Sequence, residues 1–196
     1  MKNFKIFITT IILISIFTLH MPLEAVAINN NENDDIGKKA ANYLAKLDIY
    51  QGYDDGSLGL DNNITRAEFA TLAVRMIGLE NEAEKNHDET DFTDVSTDFW
   101  GSGYINIAAE KGLIKGYDDN TFKPQNNISY AEAITMIIRI LGYEDKTTGE
   151  WPDSHIKKAN DLNITDNISL ADEHIVNREE VAIIIYNSLD VTIMDF

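Results

Sequence analysis

The sequence predicts a mainly α fold assembled from three helix-loop-helix repeats. Three observations predict it: a glycine-led loop motif recurs at fixed spacing, each copy of the motif runs into a helix-start signal, and an apolar stripe of helical period follows each start. In the first copy Gly52, Tyr53, Asp54 and Asp55 precede Ile64, Thr65, Arg66, Ala67 and Glu68, with twelve residues from glycine to isoleucine. The order returns 64 residues on, where Gly116, Tyr117, Asp118 and Asp119 precede Ile128, Ser129, Tyr130, Ala131 and Glu132 at the same spacing. A third copy is degenerate: Val176, Asn177, Arg178, Glu179 and Glu180 match the second half, and Asn167 takes the place of the glycine only nine residues upstream.

Before the first copy, Lys2 and Lys5 lead into an apolar run from Ile6 to Leu19 and then Ala25, Val26 and Ala27, the layout of a secretory signal peptide cleaved after Ala27. Fourteen apolar-rich residues fall short of the roughly 20 that cross a bilayer, so no membrane insertion is expected after cleavage. The asparagine-rich segment 28–35 reads as a polar leader.

Each copy then opens with a short helix. Ile36, Ala41, Leu44 and Ile49 in the first correspond to Trp100, Ile105, Ala108 and Leu113 in the second and to Trp151, Ile156, Ala159 and Ile164 in the third. The second helix of each copy starts at a capping box, with Thr65, Ser129 and Asn177 as N-caps and Glu68, Glu132 and Glu180 three positions on. Losing such a cap costs about 1 kcal/mol. The stripes that follow are Phe69, Leu72, Ala73, Met76 and Ile77, then Ala133, Met136, Ile137, Ile140 and Leu141, then Val181, Ile184, Ile185 and Leu189. A lone two-helix hairpin cannot bury such a stripe, so the copies are expected to share a core. The segments Asn81 to Thr90 and Glu144 to Glu150 are polar and read as irregular linkers. Repeats are therefore placed at 36–80, 91–143 and 151–196, and since little sequence follows the third, the repeats are expected to carry the function.

Composition narrows that function. Removal of residues 1–27 leaves 14 basic and 32 acidic residues, a net charge of -18, which disfavours nucleic acid and close approach to an anionic membrane. With no cysteine there are no disulfides, thiolate metal sites or cysteine nucleophiles. No cofactor motif is present, and the repeated glutamates are explained as cap residues rather than as an acid-base pair, so the chain is expected not to be an enzyme. Asp54, Asp55 and Asp61 in one loop and Asp118 and Asp119 in the next suggest calcium, but neither loop has the alternating oxygens and twelfth-position glutamate of an EF-hand.

The pentapeptide Ile64-Thr65-Arg66-Ala67-Glu68 resembles the signature of S-layer homology domains, as do the Gly-Tyr-Asp-Asp-Gly run at 52–56, Phe92, Asp94 and Val95 ahead of Trp100, and Phe122 and Pro124 ahead of Ile128. The resemblance implies a three-pronged pseudo-trimer around a central three-helix bundle. It also implies noncovalent attachment to a secondary cell-wall polysaccharide, often through a pyruvylated sugar, in grooves between prongs. The pentapeptide arginine would face the ligand, which assigns Arg66 and Arg178, while the second copy departs with Tyr130 and so predicts a weakened or repurposed second groove.

The chemistry agrees, since arginine just past an N-cap gains nothing from the helix dipole and a guanidinium grips a carboxylate through two parallel hydrogen bonds. The amides at the helix start would assist. Against this, the arginines could simply pair with nearby carboxylates. Thr65, Glu68, Gly52, Gly116, Tyr130, Asp94 and Trp100 complete the candidate set. Of these, Gly52 and Gly116 read as turn residues of positive φ, with Asn167 a tolerable substitute. Asp94 reads as a cap for the helix near Trp100. Trp100 and Trp151 read either as sugar platforms or, more readily, as core anchors. Assembly with other surface-layer proteins and a calcium-binding surface role are the alternative functions.

Overall fold

The computed structural model describes residues 32–86 and 88–194, with the side chains of 32–35 left aside. The expected signal peptide at 1–27 and the first part of the leader lie outside the described residues. Among the described residues there are seven helices and no strand: α1 (Glu32–Lys46), α2 (Arg66–Met76), α3 (Glu80–Lys85), α4 (Ser102–Glu110), α5 (Tyr130–Ile140), α6 (Asp153–Asp161) and α7 (Arg178–Ser188). The mainly α fold is as the sequence predicts. No described helix is long and apolar enough to cross a membrane.

The three predicted helix starts are all present as full capping boxes at Thr65, Ser129 and Asn177. In each, the cap oxygen accepts from the glutamate's amide and the glutamate carboxylate accepts from the cap's amide, so two otherwise orphaned donors are satisfied within one turn. Two segments differ from expectation. Residues 32–35 of the leader are already helical, and the first linker contains α3, which packs on α2 and α4 through the buried Ala83. The second linker holds a 3-10 turn at Glu144–Lys146. Both linkers are ordered by contacts that a polar composition does not reveal.

The helices pair across copies. α2 packs against α4, α5 against α6, and α1 against α7, so each copy's second helix is covered by the next copy's first helix and the first copy's opening helix closes onto the last. The loops ahead of the caps are linked in the same cyclic order. Ile128 N donates to the Ile64 carbonyl at 3.0 Å, Ile64 N to Val176 at 3.2 Å and Val176 N to Ile128 at 3.2 Å.

The stripes supply much of the core: Phe69, Ile137, Ile184 and Ile185 are fully buried, as are Leu44, Ile105 and Ala159 from the covering helices. α2 and α5 are buried beyond one stripe, at Ala70 and Val74 and at Ile134 and Ile138, because each is clasped on a second face by its covering helix. Each valine, leucine, isoleucine or phenylalanine among them contributes about 1.5–3 kcal/mol by its burial.

Candidate functional site

The cyclic arrangement decides where the pentapeptide arginines go. Arg66, on the first turn of α2, reaches into the loop of the second copy: its Nε donates to the Phe122 carbonyl at 2.8 Å and Nη1 to Glu132 Oε1 at 2.6 Å. Its guanidinium lies 4.8 Å from the Tyr117 ring and 4.7 Å from the Phe122 ring. Arg178, on α7, reaches into the loop of the first copy, donating to the carbonyls of Leu58 at 2.9 Å and Gln51 at 2.8 Å and lying over Tyr50 and Tyr53. Both arginines are buried. They clamp one copy to the next, and Arg66 also lines a cleft.

The amides at the helix starts are not free for an anion, contrary to expectation. Those of Arg66 and Ala67 donate to Asn126 and Pro124, those of Tyr130 and Ala131 to His174 and Asp172, and those of Arg178 and Glu179 to Asn62 and Leu60. The carbonyls of the next loop take them. Any anion must therefore be held by side chains.

Those side chains are gathered in a cleft of about 530 Å³ between α5 and Trp151, whose walls include Arg66, Lys115, Tyr117, Glu132, Arg139 and Trp151, a volume suited to a small ligand. Trp151 is 56% exposed and donates its Nε1 proton to Thr135 Oγ1 at 2.9 Å, which fixes the ring with an open face. Tyr117 donates to Glu132 Oε1 at 2.9 Å. Burial, opposed by the Arg66 charge, raises its phenol above the usual range.

Glu144 lies behind the cleft. It accepts from Arg139 Nε at 3.1 Å and Nη2 at 3.2 Å and from Lys115 at 3.1 Å, with His155 Nε2 also at 3.1 Å. Burial disfavours its ionisation, but the hydrogen bonds from Arg139 and His155, with Lys115 adding, prevail and hold the carboxyl down at about 2. The carboxylate aims the two cations.

Part of this constellation recurs one copy earlier, although neither Arg75 nor Arg178 lines the cleft beside Trp100. Arg75 donates to Glu80 at 2.7 Å and to Gln51 Oε1 at 2.8 Å, Tyr104 takes the position of His155 against Glu80 at 3.3 Å, and Trp100, 59% exposed, shares a cleft with Thr65 and Glu68. At the third position it is stripped. Tyr130 is buried, with its backbone against the third copy's loop, Asn187 stands where Arg75 and Arg139 stand and donates to the carbonyls of Ile164 and Asp166, and Ile36 stands where the tryptophans do. Tyr130 therefore lies against the loop of the third copy and not that of the second.

Several candidates have roles other than those expected. Trp100 and Trp151 are surface rings and not core anchors. Gly52 and Gly116 do not have positive φ. A Cβ at Gly52 would lie 2.6 Å from the Ser57 carbonyl oxygen, and one at Gly116 would lie 2.7 Å from that of Thr121 and 2.5 Å from the Phe92 ring. Close approach, not dihedral freedom, requires glycine there, whereas Asn167 does have a φ of 63°.

Asp94 caps no helix. Its two oxygens accept from the amides of Phe122 and Lys123, each at 2.8 Å, and so pin the second loop. Thr65 Oγ1 and Glu68 Oε2 are engaged in the capping box. Among the described residues no group of three or more His, Asp or Glu side chains is placed to share a metal ion, and Asp55 and Asp119 accept from Ser57 and Thr121 within their own turns. Arg75, Arg139, Tyr53, Tyr117, Lys115 and Glu144 were missed by sequence reasoning, although their recurrence 64 residues apart is a signal that could have found all but Lys115.

Comparison with known proteins follows this geometry. Residues 33–70 and 91–134 match the S-layer homology domain. The chain is 42% identical over 158 residues to the middle cell wall protein of Brevibacillus brevis, a match covering 81% of this chain and 15% of that protein. It is 43% identical over 153 residues to the surface layer protein of Brevibacillus choshinensis, covering 78% and 13%, and 38% identical over 103 residues to the cellulosome-anchoring protein of Acetivibrio thermocellus, covering 52% and 23%. It thus spans less than a quarter of the length of these relatives. The matched segments contain the first two capping boxes and both glycine-led loops, and the chain belongs to the S-layer homology domain family.

Proposed function

We propose that the chain anchors at the cell-wall surface by holding an anionic wall polysaccharide, without catalysing a reaction on it, in two grooves of a three-pronged pseudo-trimer. The observation that carries this reading is the grouping in one cleft of an open tryptophan face, a carboxylate-aimed arginine and a buried arginine beside a tight glycine loop, with an arginine–carboxylate pair and an exposed tryptophan recurring in the preceding copy. An indole face suits the apolar face of a sugar ring. A guanidinium fork suits a carboxylate such as a pyruvyl ketal carries. The names of the relatives, a cell-wall, a surface-layer and a cellulosome-anchoring protein, agree with attachment at that surface, where the family places the chain.

The test is retention on native cell-wall sacculi before and after chemical removal of the secondary polymer, using the parent chain and a Trp100→Ala, Trp151→Ala variant. Because both rings are largely exposed, the variant should keep its thermal midpoint within a few degrees and lose retention. The Arg66→Ala, Arg178→Ala pair is a poorer choice, since both clamps hold the copies together. Retention that survives removal of the polymer would point instead to a protein partner.

A further inference from the structure

Each copy's second helix meets its covering helix in a seam, and at two of the three seams the chain turns back after the second helix. After α2, Leu79 N donates to the Val74 carbonyl at 3.1 Å and α3 packs on both α2 and α4. After α5, Tyr143 N donates to the Ile138 carbonyl at 2.9 Å. Val74 and Ile138 are fully buried, and so nearly is Ile107 on α4. After α7 the chain takes another course: Met194 N donates to the Leu141 carbonyl at 3.0 Å and the Tyr143 hydroxyl donates to the Thr192 carbonyl at 3.1 Å, which ties the segment to the end of the second copy. At the third seam Tyr186 stands where Val74 and Ile138 stand, and Tyr43 stands where Ile107 stands. These two rings meet edge to face with centres 5.4 Å apart, and they are 42% and 47% exposed. Leu47 and Leu189, one turn beyond them, are 47% and 38% exposed. The seam between α1 and α7 is thus an open apolar strip at a place where its two counterparts are buried.

Charge identifies what fits it. The segment that closes the first seam, residues 79–90, is acidic, with Glu80, Glu82, Glu84, Asp88 and Glu89 against Lys85 alone. An arginine of the second helix anchors it, Arg75 to Glu80 at 2.7 Å, as Arg139 anchors Glu144 at 3.1 Å in the next copy. Asn187 takes that position on α7, and the cations stand on α1 instead. From Ile36 to Leu47 that helix and its end carry Lys38, Lys39 and Lys46 and no carboxylate, on a chain with 33 acidic and 16 basic residues. Lys46 is three residues beyond Tyr43 and so lies beside it on the helix surface. We propose that the α1–α7 seam docks an acidic amphipathic helix of a protein partner, with its apolar face on Tyr43, Leu47, Tyr186 and Leu189 and its carboxylates toward the lysines of α1. Lys39 stands where Gly103 leaves room for the Ala83 carbonyl, so the partner lies farther out than α3 does and meets side chains rather than backbone. Half-exposed tyrosines suit such a contact, since each offers an apolar body and a polar tip. The proposal is independent of how the tryptophan clefts are read.

The probe is a designed helical peptide with a leucine stripe on one face and glutamate elsewhere, compared with the same peptide carrying glutamine for glutamate. Each is titrated into the 15N-labelled chain and followed at the backbone amides. At physiological ionic strength the screening length is about 8 Å, so distant carboxylates repel the glutamate peptide little and the lysines of α1 act on what lies beside them. The amides of Tyr43, Leu47, Tyr186 and Leu189 should move together, at about one-third the concentration for the glutamate peptide as for the glutamine one. Tyr43→Ser with Tyr186→Ser should weaken the glutamate peptide by about tenfold or more, and Lys46→Gln should narrow the difference between the two peptides. Because the three replaced side chains are exposed, both variants should keep the parent's thermal midpoint within a few degrees. Movement confined to other parts of the chain, equal affinity for the two peptides, or unchanged binding by the tyrosine variant would overturn the proposal. Sedimentation of the chain alone tests the remaining occupant. Self-association that the tyrosine variant abolishes would assign the seam to a second copy of the chain and overturn the proposal as well.

Discussion

An arginine one position past a helix cap gains nothing from the dipole, so the acceptors around Arg66 account for its place. The Phe122 carbonyl, the Glu132 carboxylate and two ring faces all come from the second copy. Replacing Arg66 by alanine strips the buried Phe122 carbonyl of its side-chain donor and Glu132 of its cation, although Tyr117 and Ser129 still donate to that carboxylate. We expect a loss of about 2–3 kcal/mol in urea unfolding, with Arg66→Lys recovering only part because an ammonium cannot supply the planar fork. The glycines give a second contrast. Gly116→Ala should destabilise by about 1–3 kcal/mol through overpacking against the Thr121 carbonyl and Phe92, while Asn167→Gly should be neutral or slightly stabilising, since only there is the backbone left-handed. That residue types recur at these positions was legible in the sequence. Which physical constraint retains them was not, because a close backbone approach and a positive φ both select glycine.

Helix starts were legible to the residue, since a capping box is a contact within four positions and its energy needs no tertiary partner. The linkers were not. Glu144 shows why: its partners Lys115, Arg139 and His155 lie on three separate segments, and nothing in a run of polar residues distinguishes a solvated carboxylate from one held by three cationic or polar donors. Its folded-state pKa, lowered from the ordinary 4.5 to about 2, means that the contact stabilises fully above about 4.5 and is lost as pH falls toward 2. Glu144→Gln should therefore lower the thermal midpoint at pH 7, with the difference from the parent shrinking between pH 4.5 and 2. A constant difference across that range would assign the effect to packing and not to charge. Asp94 gives a parallel case of one side chain holding a distant loop. Removing its two acceptors in Asp94→Ala should free the loop around Phe122 and loosen the Arg66 clamp, seen as faster hydrogen exchange at the Phe122 and Lys123 amides.

Periodicity indicated that three stripes share a core, yet gave no information on which helix covers which, because an amphipathic helix carries no mark of its partner. The observed order, each second helix covered by the next copy's first and α1 closing on α7, makes the chain depend on its two ends meeting. It also explains why the pentapeptide arginine of one copy lies against the loop of the next. The consequence for folding differs from that of an open repeat array, where neighbours suffice and an end can fray alone. Here Leu44, fully buried on α1, supports the third copy as much as the first. Leu44→Ala should cost about 2–5 kcal/mol, and hydrogen exchange should quicken in α7, more than 130 residues away in sequence, at least as much as in α2. Calorimetry of the parent chain should show one transition with equal calorimetric and van't Hoff enthalpies, since opening the α1–α7 contact removes cover from one member of the ring and the cyclic hydrogen bonds of Ile64, Ile128 and Val176 tie that member to the other two. Protection lost in α2 but kept in α7 would show instead that the copies fold as independent hairpins, and the clamp arginines would then be ornaments on the surface of each rather than the joints of a closed ring.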